Sequence, residues 1–218
     1  MHDKIQESYH DSQDIYDDVL TQDKWWSELY IDLFWDGVDD NQIARKILGW
    51  IPDNFNGRLL DVPVGTAVFT CHKYARMKKA RITCLDYSLD MLRQADRRLS
   101  ELSQVRTMQG DVGDLPFADG DFDVVLSMNG FHVFPDKARA FSEINRVLKR
   151  NGVFIACFYV QGESAVTDLL VSQILAKKGW FTPPFLTVET LREQLMKHYE
   201  IKRFCTEGTM AYFCAVKK

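Results

Sequence analysis

The chain has 218 residues, of which 46% are hydrophobic and 27% are charged, and its formal net charge is −4. These values fit one globular domain with a sizeable core. The negative balance argues against nucleic acid as a partner, because phosphate binding needs clustered positive charge. No apolar run approaches the roughly 20 residues that span a bilayer, and the first residues lack an apolar signal core, so a cytoplasmic protein without a membrane span is expected.

The five cysteines contain no C-x-x-C pair, which favours reduced thiols over disulfides or zinc. No cluster of His, Asp and Glu has the spacing of metal ligands, so no metal is expected.

The first 55 residues are rich in aromatic side chains and precede the first strand-like run. We predict that residues 1–55 form an N-terminal helical lid and that residues 56–218 form the main domain. The aromatic residues of this segment are Tyr9, Tyr16, Trp25, Trp26, Tyr30, Phe34 and Trp35.

Short apolar runs then alternate with amphipathic stretches, a pattern typical of a parallel sheet covered by helices. The last two runs are separated by only three residues and must therefore form an antiparallel hairpin. The fold class is thus α/β: a Rossmann-like, doubly wound, seven-stranded sheet, mostly parallel, with a C-terminal antiparallel hairpin. The predicted strands are 58–64, 81–86, 105–109, 122–128, 153–159, 199–206 and 210–216.

Two helices have clear start signals. Ser88 is placed as the N-cap of a helix in which Leu92, Ala95, Leu99 and Leu102 recur at helical spacing. Asp136 opens a second helix that Asn151 and Gly152 are predicted to close. An insertion, residues 161–188, follows the fifth strand. It contains a helical apolar pattern (Val166, Leu169, Leu170, Ile174) and the apolar cluster 180–185.

Acidic residues follow three successive strands of the predicted sheet. Ligands of doubly wound sheets bind beyond the carboxyl ends of the strands. Asp61, Asp86 and Asp111 are therefore expected to face one crevice, with Gly65 allowing close approach of the backbone. A carboxylate after the second strand can accept both hydroxyls of a ribose.

Several segments, in this order, resemble class I S-adenosylmethionine-dependent methyltransferases, in particular the ubiquinone/menaquinone C-methyltransferases. They are LLDVPVGTAVF, LDYSLDML, GDVGDLPFADGDFDVVLSMNGFHVFPD and RVLKRNGVFI, between residues 57 and 160. The family loop D-x-G-x-G-x-G is altered here, because Pro63 and Ala67 replace the first and third glycines. This departure puts the strength of cofactor binding in doubt.

The resemblance implies S-adenosyl-L-methionine as cofactor and assigns its contacts. Asp61, Gly65 and Thr66 would face the methionine portion, and Asp86 would hold the ribose hydroxyls. Tyr87, Met91, Asp111 and Val112 would surround the adenine, and Met128, Asn129 and Gly130 would form the floor under the sulfonium.

The expected activity is methyl transfer to a small, apolar or aromatic acceptor. His132 follows the fourth strand and is the candidate general base, with Tyr16 as a weaker candidate. The acceptor pocket is assigned to aromatic side chains of the lid and the insertion. The sequence is also compatible with a homodimer. These pocket residues are Trp25, Trp180, Phe181 and Phe185.

Three other classes of protein share parts of this pattern. A degenerate methyltransferase-like domain could serve as a binding module, since two loop glycines are missing. A nicotinamide-dependent oxidoreductase would need the G-x-G-x-x-G loop, which is absent. A nucleic-acid methyltransferase acting on base amines typically has [D/N]-P-P-[F/Y/W] after the fourth strand, whereas Asn129 is followed here by Gly-Phe.

Overall fold

The computed structural model describes residues 40–218, which form a seven-stranded sheet with the strand order β3-β2-β1-β4-β5-β7-β6. The strands are β1 (Arg58–Asp61), β2 (Arg81–Asp86), β3 (Val105–Gln109), β4 (Phe122–Met128), β5 (Leu148–Tyr159), β6 (Tyr199–Glu207) and β7 (Met210–Lys217). The helices are α1 (Asp40–Leu48), α2 (Cys71–Arg76), α3 (Leu89–Leu99), α4 (Lys137–Val147), α5 (Ala165–Leu170) and α6 (Val188–His198). A π-helical turn, Val171–Leu175, continues α5.

The sheet confirms the predicted fold class. Strands β1 to β5 pair in parallel, whereas β7 runs antiparallel to both β5 and β6. The strand order reverses between β1 and β4, because β1 lies between β2 and β4. This reversal is the position at which doubly wound sheets bind ligands.

The two helix start signals are confirmed. Ser88 Oγ accepts a hydrogen bond from the Met91 N–H, and Asp136 Oδ1 accepts one from the Arg139 N–H. The predicted end of the second helix is wrong. That helix ends at Val147, because Leu148 already pairs with Phe122 as the first residue of β5. Asn151 has φ 61° within this strand, so its positive φ does not mark a helix end.

Buried apolar side chains form one cluster on each face of the sheet. One cluster contains Ile43 and Ile47 of α1, so residues 40–48 of the predicted lid pack on the sheet itself. The other contains Phe131, Phe141 and Phe154, whose rings contact one another. The remainder of the predicted lid, residues 1–39, lies outside the described residues.

The insertion is fixed to the carboxyl end of β5. Tyr159 donates a 2.6 Å hydrogen bond to Asp168 of α5, and the Gly162 N–H donates to the other oxygen of the same carboxylate. All five cysteines are free thiols. Within residues 40–218, none of the helices is both long enough and apolar enough to cross a membrane.

Candidate active site

A cleft opens at the carboxyl ends of β1, β2 and β4, where the strand order reverses. It brings together ten of the eleven predicted cofactor contacts. They are Asp61, Gly65, Thr66, Asp86, Tyr87, Met91, Asp111, Val112, Met128 and Asn129.

The loop after β1 is shaped by Gly65 and held by Asp86. Gly65 has φ 57°, a conformation that side chains disfavour, and a Cβ placed there would meet nothing within 4 Å. Its N–H donates a 2.8 Å hydrogen bond to Asp86 Oδ2. The loop therefore leaves open space above its backbone, as close approach by a ligand requires.

Asp86 is buried at the end of β2, with 6% of its surface exposed. Its second oxygen accepts a 2.9 Å hydrogen bond from the Ser88 N–H, so the carboxylate joins the β1 loop to the start of α3. Burial raises the pKa of Asp86 to about 6, against the opposing effect of the backbone N–H groups. The backbone N–H groups of Gly65, Ser88 and Tyr87 occupy three of the about four acceptor sites of the carboxylate, so it can still accept a hydrogen bond from a ligand.

Asp61 is the most deeply buried acid of the cleft, with 1% of its surface exposed. Tyr74 of α2 donates a 2.8 Å hydrogen bond to its Oδ2. Burial is the main cause that raises the pKa of Asp61 to about 7, and the negative charge of Asp86 raises it further. The two acids thus form an anionic pair that a cation would stabilise.

The third acid lies at a turn after β3. Asp111 Oδ1 accepts a 2.7 Å hydrogen bond from the Gly113 N–H, and the Asp111 carbonyl accepts one from the Asp114 N–H. Val112 and Met91 are buried beside it, whereas Tyr87 is half-buried. This end of the cleft therefore presents one carboxylate on an otherwise apolar wall.

Gly130 is the predicted contact that does not line the cleft. A Cβ at Gly130 would lie 2.4 Å from Pro63 Cδ and 2.6 Å from Phe134 Cζ. Gly130 therefore makes room for the proline that replaces a loop glycine, and it acts on the cleft through Pro63 and Phe134.

Ala67, which stands where the family loop has its third glycine, has a left-handed backbone conformation. It is buried and has φ 62°, a left-handed conformation that costs a residue with a Cβ about 1–2 kcal/mol. We expect Ala67→Gly to raise the free energy of unfolding by about 0.5–1 kcal/mol, because glycine relieves this strain but loses more chain entropy.

Urea denaturation measures this change. The matched control is Ala95→Gly inside α3, which we expect to lower stability because glycine is unfavourable in a helix interior. Equal losses of stability in both variants would contradict the strain at Ala67.

His132 lies outside the cleft lining, with 5% of its surface exposed. Its ring stacks on Phe181 at a centroid distance of 4.2 Å, and its Nδ1 accepts a 3.3 Å hydrogen bond from the Tyr159 N–H. Burial lowers the pKa of His132 to about 3, so the ring is neutral at pH 7 and weakly basic. The role of general base stays a prediction, and this environment does not favour it.

The aromatic cluster of the insertion packs in the core and does not line the cleft. Phe181 is buried, and Trp180 and Phe185 are half-buried against the same core cluster; none of the three lines the cleft. The Thr182 N–H donates to the His132 carbonyl, and Lys137 Nζ donates to the Thr182 carbonyl. Trp25 and Tyr16, the remaining predictions, lie outside the described residues.

The cleft lining also includes residues that the sequence did not identify as site residues. Val133, Phe134 and Pro135 after β4 form an apolar wall, and Phe69 and Thr70 extend the β1 loop. The run 133–135 follows a strand end, so the rule that located the acids could also have located this wall. Tyr74, the partner of Asp61, gave no such signal because it resembles any buried helix residue.

The fold and cleft define the class of protein, a Rossmann-like α/β domain of the methyltransferase type. An S-adenosylmethionine-dependent methyltransferase of Thermotoga maritima superposes with a TM-score of 0.68 at 18% identity, covering 98% of this chain and 100% of that chain. The YcgJ protein of Bacillus subtilis superposes with a TM-score of 0.66 at 16% identity, covering 81% of this chain and 98% of that chain. These likenesses show the fold.

Residues 60–156 match the family model described as "Methyltransferase domain". Demethylmenaquinone methyltransferase of Staphylococcus carnosus is 36% identical over 99 residues, 45% of this chain and 41% of that protein. Malonyl-[acyl-carrier protein] O-methyltransferase of Geobacter sulfurreducens is 35% identical over 115 residues, 53% of this chain and 42% of that protein. The matches thus span less than half of either relative.

Residues 60–156 are therefore similar to methyltransferase domains, and the described part of the chain has the fold of such domains. S-adenosyl-L-methionine is the cofactor that such a domain implies.

Proposed function

We propose that this protein transfers a methyl group from S-adenosylmethionine to a small, apolar or aromatic acceptor. The observation that carries the proposal is the junction of Gly65 and Asp86 at the strand-order reversal. There, open space above a glycine lies beside a buried carboxylate that can still accept a hydrogen bond.

The residues of the cleft fit the cofactor. Asp61 and Asp86 are buried acids with raised pKa values, and a cationic ligand would favour their ionised forms. We assign the ribose hydroxyls to Asp86, the methionine portion to Asp61, Gly65 and Thr66, and the adenine to the wall around Asp111. When bound, the cofactor supplies a methyl group activated by a positively charged sulfur.

The chain itself has to align the acceptor and exclude water. Positioning alone can contribute roughly 7–11 kcal/mol in favourable cases. Met128, Val133 and Phe134 give this side of the cleft an apolar surface, which suits an acceptor with little charge. The relatives named for demethylmenaquinone and for malonyl-[acyl-carrier protein] support the class of acceptor without fixing its identity.

We further propose that residues 1–55, which precede the main domain, form a lid over the part of the cleft that binds the acceptor. The proposal includes no nucleic-acid partner and places the protein in the cytoplasm, where its free thiols stay reduced. The proposed function is compatible with a monomer or with a homodimer.

The first test is calorimetry of the whole chain with S-adenosylmethionine, its demethylated product and NAD. We expect binding of the first two and no binding of NAD. Methyl-labelled cofactor is then incubated with a panel of phenols, quinols and carboxylic acids, and labelled product is counted. Binding without transfer to any acceptor would favour the binding-module alternative, and binding of NAD alone would favour an oxidoreductase.

A second prediction concerns the insertion. Trp180→Ala and Phe185→Ala should change the preference among acceptors, because these rings support the segment that contacts His132 and the wall after β4. Cofactor affinity should stay within about twofold, since neither ring touches the cleft. Trp50→Ala, a truncation of a half-buried Trp that packs on Tyr212, is the matched control. Equal losses of cofactor and acceptor binding would contradict this role.

The candidate base is tested by the pH profile of transfer. If His132 accepts a proton, His132→Gln should abolish a titration that the unchanged protein shows. If it packs the insertion, the variant should lower thermal stability and leave the profile unchanged.

A further inference from the structure

The insertion exposes an apolar face that nothing in residues 40–218 covers. Five large apolar side chains are exposed in this part of the chain, and three of them are Val166, Leu169 and Ile174. Val166 and Leu169 are more than 60% exposed. We call these three residues the insertion face; such a concentration of exposed apolar residues marks an interaction site.

The insertion face belongs to a fixed helix. On the opposite side, Thr167, Val171 and Leu175 are buried, and the last two belong to the core cluster that contains α1. Asp168 is bound by Tyr159 and by the Gly162 N–H. Packing on the core therefore explains one side of the helix and leaves the insertion face unexplained.

Positive charge adjoins the insertion face. Lys177 and Lys178 are exposed one turn beyond Ile174, and Lys177 Nζ donates to Gln173. The wider domain is basic as well, since residues 40–218 carry 25 basic and 20 acidic side chains. A partner for this surface should combine apolar side chains with negative charge.

Residues 1–39 have that composition. They carry eleven acidic and only two basic side chains, and they hold seven of the aromatic residues of the chain. Their acids are spread along the whole segment between Asp3 and Asp39. The segment and the insertion face are therefore complementary in charge and alike in apolar character.

The segment also joins the domain at a suitable place. It leads into α1, which packs in the same core cluster as Val171 and Leu175. Burial is the main cause that raises the pKa of the Cys157 thiol, and the nearby Asp40 carboxylate raises it further. Cys157 is two residues before Tyr159, which binds the insertion helix through Asp168. A chain of 39 residues is long enough to reach from the start of α1 to the insertion face.

We propose that residues 1–39 dock on the insertion face through their aromatic side chains, with their acids facing Lys177 and Lys178. Attachment to the same chain gives the segment a high effective concentration, so modest contacts suffice. A second copy of the chain could supply the same chemistry, whereas an anionic membrane would repel the acidic segment. The contact does not depend on methyl transfer.

Zero-length carbodiimide cross-linking of the whole chain is the direct test. An equal mixture of unlabelled and ¹⁵N-labelled protein is cross-linked and digested, and linked peptides are identified by mass spectrometry. We expect links from Lys177 or Lys178 to acids of residues 1–39, within one isotope. Links between isotopes would assign the face to a second copy, and an absence of such links would overturn the proposal.

Limited proteolysis gives an independent readout. In Val166→Ser/Leu169→Ser we expect cleavage within residues 1–39 to become roughly tenfold faster, because the buried apolar contact is lost. Lys177→Glu/Lys178→Glu should have the same effect, and added salt should weaken the contact in the unchanged chain. Met196→Ser, which alters an exposed apolar residue of α6, is the matched control.

Cleavage rates equal to those of the control, with cooperative melting retained, would also overturn the proposal. Loss of cofactor binding in all variants, control included, would concern the proposed function and not this contact. The two failures are therefore distinguishable.

Discussion

Replacing Asp86 by alanine should weaken binding of S-adenosylmethionine at least roughly 100-fold. Hydrogen bonds to a charged group contribute about 1.5–3 kcal/mol each, and the proposed contact of Asp86 with the ribose would supply at least one of them. The same change releases the Gly65 and Ser88 N–H groups, which Asp86 holds at 2.8 and 2.9 Å. The loop that shapes the cleft would therefore lose its anchor together with the ligand contact.

Calorimetry with the demethylated cofactor measures the loss without requiring an acceptor. The matched control is Asp90→Ala, four residues further on, whose carboxylate pairs with Arg93 outside the cleft. A cooperative thermal transition in both variants shows that the sheet is intact. Unchanged affinity in Asp86→Ala would place the ribose elsewhere.

The rule that strand ends meet at one edge of a sheet located most of the candidate site. Asp61, Asp86 and Asp111 line one cleft as predicted, because each directly follows a parallel strand. The rule fixes where a backbone lies but not the direction of a side chain. His132 also follows a strand, and yet its ring packs between Phe181 and the backbone of Tyr159.

The aromatic residues of the insertion were equally difficult to assign from the sequence. Phe181 and a pocket aromatic look the same in sequence, since both are large and flanked by turn residues. Phe181 is in the core because the insertion folds back on the end of β5, a long-range contact with no local signal. The early start of β5 has a similar cause, since Leu148 fits a helix by spacing but a strand by its pairing with Phe122.

Replacing Asp61 by asparagine should stabilise the unliganded protein at pH 8 by up to about 4 kcal/mol. The pKa of Asp61 is about 7 in the fold against an ordinary value of 3.8, and each of these roughly three pKa units corresponds to 1.36 kcal/mol. A raised folded pKa favours the fold fully below about pH 4, and this advantage is lost as the pH rises through 7. At pH 8 the fold therefore bears a buried charge that asparagine removes, while its amide oxygen still accepts from Tyr74.

Urea denaturation at pH 5 and pH 8 separates this effect from general stabilisation. The gain in Asp61→Asn should be about 4 kcal/mol at pH 8 and less than half of that at pH 5, where the native carboxyl is protonated and only the unfolded one is ionised. Asp119→Asn, which alters an acid that is 82% exposed, should change little at either pH. Cofactor binding should move in the opposite direction, because the neutral amide no longer attracts a cation. An equal gain at both pH values would mean that Asp61 has the same pKa in the folded and unfolded chain, which would contradict the raised pKa of the buried carboxyl.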